Sequence, residues 1–342
     1  MRLRLRARLG AAAGWLHLDR VVLGLHRRAP SPRWLAILNY HRVALPSDVA
    51  ETDAGVNDAT PASFESHLRL VREYCSPITL GDFLGHLEGR PLPPNPVLVT
   101  FDDGYRDNVD VALPILQRYG VRAVFFIATH YVGGRRLYWW DRISWIVKHA
   151  RRYEFDVPGV GTLEIDERDR SAVERRLHRL VKERPNLDLE TFLDDLAHRA
   201  DAPWSRAVED DLVARHVMTW DDVRALRQAG MDVGSHTRTH RVLQTVPPDE
   251  LEGELAGSRS DLETELGEEI RTIAYPVGRP VAQNPVLRHA LEAAGYRLGL
   301  TYDTGRQSLR AIDPLDVRRF AIEPSDTDRG LRVRMALPWL LP

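Results

Sequence analysis

Cysteine occurs once in the 342 residues, at Cys75, so no internal disulfide can staple the fold and nothing in it requires an oxidising compartment. An excess of charge of either sign is missing as well. Lysine and arginine number 47 against 49 aspartates and glutamates, a formal net charge of −2. Without a basic excess to neutralise phosphates, nucleic acid is not expected as a partner. No internal repeat or low-complexity tract is visible, and the first apolar stretch falls short of the roughly 20 residues that a bilayer span needs. What remains is the composition of an ordinary soluble protein, 43% hydrophobic and 28% charged, with chain enough for one large domain or two small ones.

Charge is uneven only at the N-terminus, where Arg2, Arg4, Arg6 and Arg8 precede an apolar stretch from Leu9 to Leu18. His17, Asp19 and Arg20 interrupt it and no small-residue cleavage site follows, which argues against an exported leader. Trp15, Leu18, Val22 and Leu25 share one face at helical spacing, as suits a helix lying on an anionic membrane surface or packed on the domain. The expected compartment is the cytoplasm, with peripheral contact to the inner membrane surface through residues 1–30.

Beyond Pro30-Ser31-Pro32, short apolar runs alternate with helical patterns, as in repeated βα units around a parallel sheet or barrel. Strands are predicted at Leu35–Tyr40, Val97–Phe101, Ala123–Ala128, Met231–Ser235, Thr272–Tyr275, Arg297–Thr301 and Arg319–Ile322. Seven strands suggest a barrel. Helical spacing covers Phe64–Tyr74, Val109–Tyr119, Trp220–Ala229, Pro248–Leu266 and Pro285–Ala294. A charged, helix-prone stretch at about 133–218 breaks the rhythm and reads as an insertion, with two helices separated by Pro185. A lid, a dimer contact and a plain cover for the barrel wall all suit it. The chain thus divides into a basic segment (1–32), a barrel (33–325) carrying that insertion, and a C-terminal tail (326–342).

Chemistry concentrates in two places. An apolar run from Pro96 to Phe101 delivers Asp102 and Asp103 to one turn before Gly104, and adjacent carboxylates repel unless a cation lies between them or one works as a base. His236 and His240, four apart after another strand, can grip a divalent ion if they sit on one helical turn. A lone pair of this spacing is a weak signal. In a parallel barrel, however, the loops after the strands share one mouth, so Asp103, His236 and His240 can converge on a metal. Three ligands leave a position for water, whose pKa a bound zinc lowers toward about 7. Asp102 is the nearby carboxylate that can take its proton.

The Thr100-Phe101-Asp102-Asp103-Gly104 segment, His236-Thr237-x-x-His240 and Ala274-Tyr275-Pro276-Val277-Gly278 together resemble the polysaccharide deacetylases, the carbohydrate esterase family with the NodB homology domain. The resemblance runs from about Leu35 to Ile322. It implies an α/β fold, a distorted seven-stranded (β/α) barrel, and metal-dependent hydrolysis of N-acetyl or O-acetyl groups on a glycan. It also implies Asp102 as general base, and Asp103, His236 and His240 as ligands of zinc, with cobalt, nickel or iron as alternatives. Tyr275, Pro276 and the Val277 N–H are expected around the oxyanion, and Tyr105 and Trp140 against substrate. Leu38-Asn39-Tyr40-His41-Arg42-Val43 and Tyr138-Trp139-Trp140-Asp141 are similar to a bacterial subgroup linked to exopolysaccharide and cell-surface glycan synthesis.

Two departures stand out. The family usually has an arginine two residues before the proline of its third motif; here Ala274 stands there, with Arg271 the nearest upstream. Its last motif often supplies a histidine acid, yet none follows His289, and no tryptophan-bearing motif follows Tyr302-Asp303. His41, at the end of the first predicted strand, is the candidate for the missing acid. A hydrolase of a non-sugar amide or imide and a silent glycan-binding protein are the rival readings.

Overall fold

The computed structural model describes residues 18–28, 32–166 and 168–336. Its centre is seven strands: β1 (Trp34–Tyr40), β2 (Pro96–Phe101), β3 (Ala123–Ile127), β4 (Asp232–Ser235), β5 (Thr272–Ala274), β6 (Leu298–Thr304) and β7 (Val317–Ala321). They run parallel in the order β1-β7-β6-β5-β4-β3-β2, and β2 pairs back onto β1 from Ala36 opposite Val97 to Tyr40 opposite Phe101, closing the barrel. The barrel is the expected distorted one, and the distortion falls at its short strands and at one ladder. β4 and β5 share one register pair, Ile273 opposite Ser235, and the β6–β7 ladder shifts between Leu300 and Thr304.

β1, β2 and β3 read as near-continuous apolar runs because both faces are covered. Leu35, Ile37, Leu98, Val124, Phe126, Leu298, Leu300 and Val317 pack together inside the barrel. The alternate residues Leu38, Tyr40, Val99, Phe101, Phe125 and Phe320 pack outward beneath the helices. This period of two sets the phase of every site residue. Inward positions on β2 run Leu98, Thr100 and then Asp102, just past the strand; on β7 they run Val317 and Arg319. Helix Leu80–Leu87 lies at the N-terminal end, where the Leu80 N–H donates to Asp232 Oδ2 (3.2 Å) at the start of β4. The opposite end is left for chemistry.

Helix α1 (Leu18–Arg28) buries Leu23 completely, and Asp19 beneath it accepts from Arg332 Nε at 2.9 Å. It packs on helices Pro61–Tyr74 and Asp328–Ala336, so this part of the basic segment sits on the domain. Its exposed apolar face is Leu18, Val21 and Leu25, 47%, 59% and 60% exposed, while Val22 turns partly inward. Trp15 and the arginines at 2, 4, 6 and 8 lie outside the described residues. The tail contributes helix Asp328–Ala336.

Between β3 and β4 the chain builds α2 (Trp139–His149), a hairpin of Glu154–Val157 with Gly161–Glu164, α3 (Arg170–Glu183), and helices Leu189–Arg199 and Arg206–His216. Two helices flank Pro185 as expected. The hairpin was not foreseen, since it carries only Phe155, Val157 and Leu163 as buried apolar residues, too few to stand out from a charged background.

Neighbouring strands approach closely at Gly234, where an added Cβ would lie 2.6 Å from the Phe126 ring and 3.0 Å from the Thr272 carbonyl. We predict that Gly234→Ala lowers stability by about 1–3 kcal/mol through overpacking, read as a shift in denaturant midpoint at unchanged slope. An unchanged midpoint would mean that the barrel wall is loose here.

Candidate metal centre and active site

Strand ends at the open mouth enclose a cavity of about 200 Å³, lined among others by His41, Asp102, Asp103, His236, His240, Tyr275, Val277 and Tyr302. Asp103 Oδ1 lies 3.4 Å from His236 Nε2 and 3.3 Å from His240 Nε2. The three donor atoms fall within 4.8 Å of one another and all three residues are buried. Their chemistry fits a divalent ion. The Nδ1–H of His236 donates to the Ala274 carbonyl (2.8 Å), which leaves Nε2 with its lone pair facing the site. Asp103 Oδ1 is buried without a hydrogen-bond partner among the described residues, the state of a carboxylate oxygen awaiting a cation. Burial pushes the pKa of His240 down to about 3, against the pull of Asp103, so it is a neutral ligand at ordinary pH.

The histidines do not converge by sharing a helical turn. Residues after Ser235 form a loop, with Thr237 at φ 62° and His240 at φ 56°. Asp103 (φ 77°) and Val277 (φ 59°) are left-handed too. Four non-glycine residues in this costly region, all in the loops that form one mouth, mark backbone that the surrounding packing holds in place. The Glu254 carboxylate does part of this by accepting from the Arg238 and Thr239 N–H groups at 3.1 and 2.9 Å.

Asp102 does not take part in that cluster of donors. It is clamped by Arg319, Nη1 to Oδ1 and Nη2 to Oδ2 each 2.8 Å, while Asn39 Nδ2 adds a 3.2 Å bond to Oδ2. Burial alone would raise the Asp102 pKa; the charges of Arg319 and His236 and the Arg319 hydrogen bonds overcome this and hold it well below the usual carboxylate range. Arg319 is completely buried, with Nε donating to the Thr301 carbonyl at 2.8 Å. It gives Asp102 an arginine partner although position 274 is alanine. Arg271, the upstream candidate, is exposed and pairs with Glu269 instead. The available signal was its phase: on β7 an arginine alternates with Val317 on the inward face.

His41 lies just past β1 with Nδ1 2.9 Å from Asp58 Oδ2, and Asp58 is buried on the short strand Asn57–Ala59 that pairs with Arg42–Val43. Burial opposes a charge on the imidazole, but the Asp58 carboxylate, first by its charge and then by its hydrogen bond, with Asp103 and Asp102 adding to it, lifts the pKa to about 9. Sequence reading missed Asp58.

The remaining expected contacts divide. The Tyr275 ring and Val277 line the cavity, but the Tyr275 hydroxyl is committed to the Leu315 carbonyl at 2.7 Å. Pro276 is buried within the turn and does not line the cavity. Tyr105 is corrected from a substrate contact to a buried support: its hydroxyl donates to Asp141 (2.9 Å) and accepts from Trp140 Nε1 (2.6 Å). Trp140 borders the cavity and packs on His240, ring centroids 4.4 Å apart.

The sequence matches the family described as polysaccharide deacetylase over residues 89–154 and 196–299. The chain belongs to the polysaccharide deacetylase family. The match includes Asp102, Asp103, His236 and His240, and leaves out His41, Asp58, residues 155–195 and Arg319. YxkH of Bacillus subtilis is 22% identical over 212 residues, covering 62% of this chain and 46% of that protein, so the chain spans about half the length of this curated relative. Two solved structures share the fold. Streptococcus pyogenes deacetylase PplD is 20% identical with a TM-score of 0.57, over 88% of this chain and 97% of that one. IcaB from Ammonifex degensii is 18% identical with a TM-score of 0.56, over 90% and 98%.

Removing Arg319 leaves Asp102 buried and unpaired. Arg319→Met is expected to cost about 3–5 kcal/mol, and Asp102→Asn in that background to recover part of the loss. Additive losses in a denaturant double-mutant cycle would show that the two side chains are not coupled.

Proposed function

We propose that this chain is a metal-dependent hydrolase that removes acetyl groups, N-acetyl of N-acetylhexosamine units first among them, from a cell-surface or exported glycan. The observation that carries the reading is one cavity holding a three-donor centre, a carboxylate that is not among its donors, and a histidine with its own carboxylate partner. Family membership supports it, and the Streptococcus pyogenes relative is described as a deacetylase in complex with acetate.

Asp103, His236 and His240 would hold a divalent ion, zinc first, with cobalt, nickel or iron as alternatives; when bound, such an ion polarises water and the acetyl carbonyl. Asp102 takes a proton from the attacking water. Its low pKa keeps it ionised at working pH, and the Arg319 fork fixes its orientation. Negative charge then develops on the carbonyl oxygen, toward which the Val277 N–H is the candidate donor. His41, charged through Asp58, protonates the departing sugar amine and leaves the free amine and acetate as products.

Metal-loaded protein is expected to release acetate from N-acetylglucosamine oligomers, with Asp102→Asn lowering kcat by about 100-fold or more. Dialysis against a chelator should abolish turnover and zinc, cobalt or nickel restore it. Opening of cyclic imides without acetate release from any glycan would replace the sugar reading, and glycan binding without turnover would make the protein a silent binder.

The acid has its own test. Because the His41 pKa is raised, its proton is present at neutral pH and lost as pH rises through about 9. Asp58→Asn removes the raising charge, so the alkaline limb of kcat/KM should move to lower pH. A limb that stays in place assigns the acid elsewhere.

Location is a separate proposal. Leu18, Val21 and Leu25 on α1, with Arg27 and Arg28 at its end, suit an anionic membrane surface on the cytoplasmic side. Replacing the three apolar residues by serine should abolish sedimentation with phosphatidylglycerol vesicles; unchanged sedimentation would remove this role for the helix.

A further inference from the structure

Residues 155–195 lie outside the family match, yet they place two side chains in the catalytic cavity. His178 and Lys182, four apart on α3, line it together with Asp102, Asp103 and His240. Lys182 is the unusual member. Its ammonium group is largely buried but makes no hydrogen bond or ion pair among the described residues. Asp53 and Asp103 favour its charge from a distance, while burial, the larger effect, and Arg279 oppose it. Asp53 is already occupied, its Oδ1 accepting from the Gly55 N–H at 2.8 Å and its Oδ2 facing His178 Nδ1 at 3.7 Å.

Deacetylation gives this lysine nothing to do. The carboxylates of the reaction are each matched: Asp102 by Arg319, Asp58 by His41, and Asp103 by the ion that the donor set fits. An acetamide is neutral and calls for no further cation. A half-desolvated ammonium without a partner is costly, and an anionic ligand group relieves that cost. Lys182 also borders a second, smaller cleft that it shares with Arg184 and Arg241, between α3 and the loop after His240. Arg241 is paired with Glu250 and Arg184 donates to the Pro158 carbonyl at 3.3 Å, so Lys182 is the cation of this cleft that no described residue matches.

We propose that Lys182 binds an anionic group, a carboxylate or a phosphate, on the sugar next to the acetylated unit, so that the substrate is an acidic glycan. This rests on the deacetylase reading and narrows it. The insertion then selects the substrate by adding a charge contact to a mouth whose own residues recognise only the acetamide.

Acetate release by the metal-loaded full chain can be compared on three probes: chitotetraose (neutral), hyaluronan tetrasaccharide (carboxylate) and chitotetraose 6-phosphate. One charge-assisted contact predicts a kcat/KM about tenfold or more higher on at least one acidic probe than on the neutral one. Which acidic probe wins identifies the anion. Lys182→Met should collapse that ratio toward one through KM, and Lys182→Arg should retain it. Equal or better turnover of chitotetraose by the wild type overturns the proposal, as does a ratio unchanged in Lys182→Met. If no probe releases acetate, the deacetylase reading fails and calorimetric binding of the acidic probes decides this one: affinity lost in Lys182→Met supports it, and affinity indifferent to the substitution overturns it.

Discussion

A buried two-pronged ion pair between the second and last strands holds this molecule's chemistry and its barrel together. Arg319 reaches from β7 to Asp102 at the end of β2, and Asn39 on β1 touches both. These three strands are neighbours at the seam where the sheet closes. Neither charge is tolerable there without the other, because desolvating a single ion costs several kcal/mol. Closure of the sheet and ionisation of the base are therefore one event. Without such a partner, burial would raise the pKa of a carboxylate placed at the mouth and reduce its ionised fraction.

The same logic explains how two pieces of the machinery can sit at unexpected places in the chain. Around a ring of strand ends, the reacting atoms are approached from every side, so what matters is the direction of arrival and not the strand that supplies it. β5 carries Ala274, and the arginine that pairs with Asp102 comes from β7 instead. In the proposed reaction the position after β1 would supply the imidazole, and the short pair Arg42–Val43 with Asn57–Ala59 places Asp58 beside it. Each relocated group arrives with its own counter-charge. A buried acid or base without one would have the wrong protonation state for its task.

Much of the fold was legible because most barrel strands, β1, β2 and β3 above all, are apolar runs bounded by turn residues; the observed limits differ mainly where β6 extends to Thr304 and β7 begins at Val317. Asp102, Asp103, His236 and His240 were legible as candidates because paired carboxylates and paired histidines after strands are chemically conspicuous. Arg319, Asp58 and Lys182 were not, for different reasons. Arg319 looks like the first charged residue of a strand until the inward phase is known. Asp58 acts from a two-residue ladder too short to leave a periodic trace. Lys182 belongs to a charged helix on which only packing reveals which charges face a cavity. The left-handed backbone at Asp103, Thr237, His240 and Val277 was equally hidden, since nothing in those residue types requires a positive φ and tertiary contacts impose it.

The insertion is tied to the metal centre by more than proximity. Trp140 on α2 lays its ring on His240 and sends its indole N–H to Tyr105, while Tyr138 donates to the Asp103 carbonyl at 3.1 Å. Two consecutive links thus run from the start of the insertion to two of the three donor residues. His240 Nδ1 is buried with no hydrogen-bond partner among the described residues, whereas the Ala274 carbonyl orients His236. Packing against Trp140 is the contact that holds the His240 ring. A ligand aimed by an aromatic wall is only as well placed as the wall, and the wall here belongs to the segment that also carries Lys182. The element that would read the substrate's charge therefore shares its support with a ligand of the ion, which makes changes in the insertion felt at both ends of the cavity.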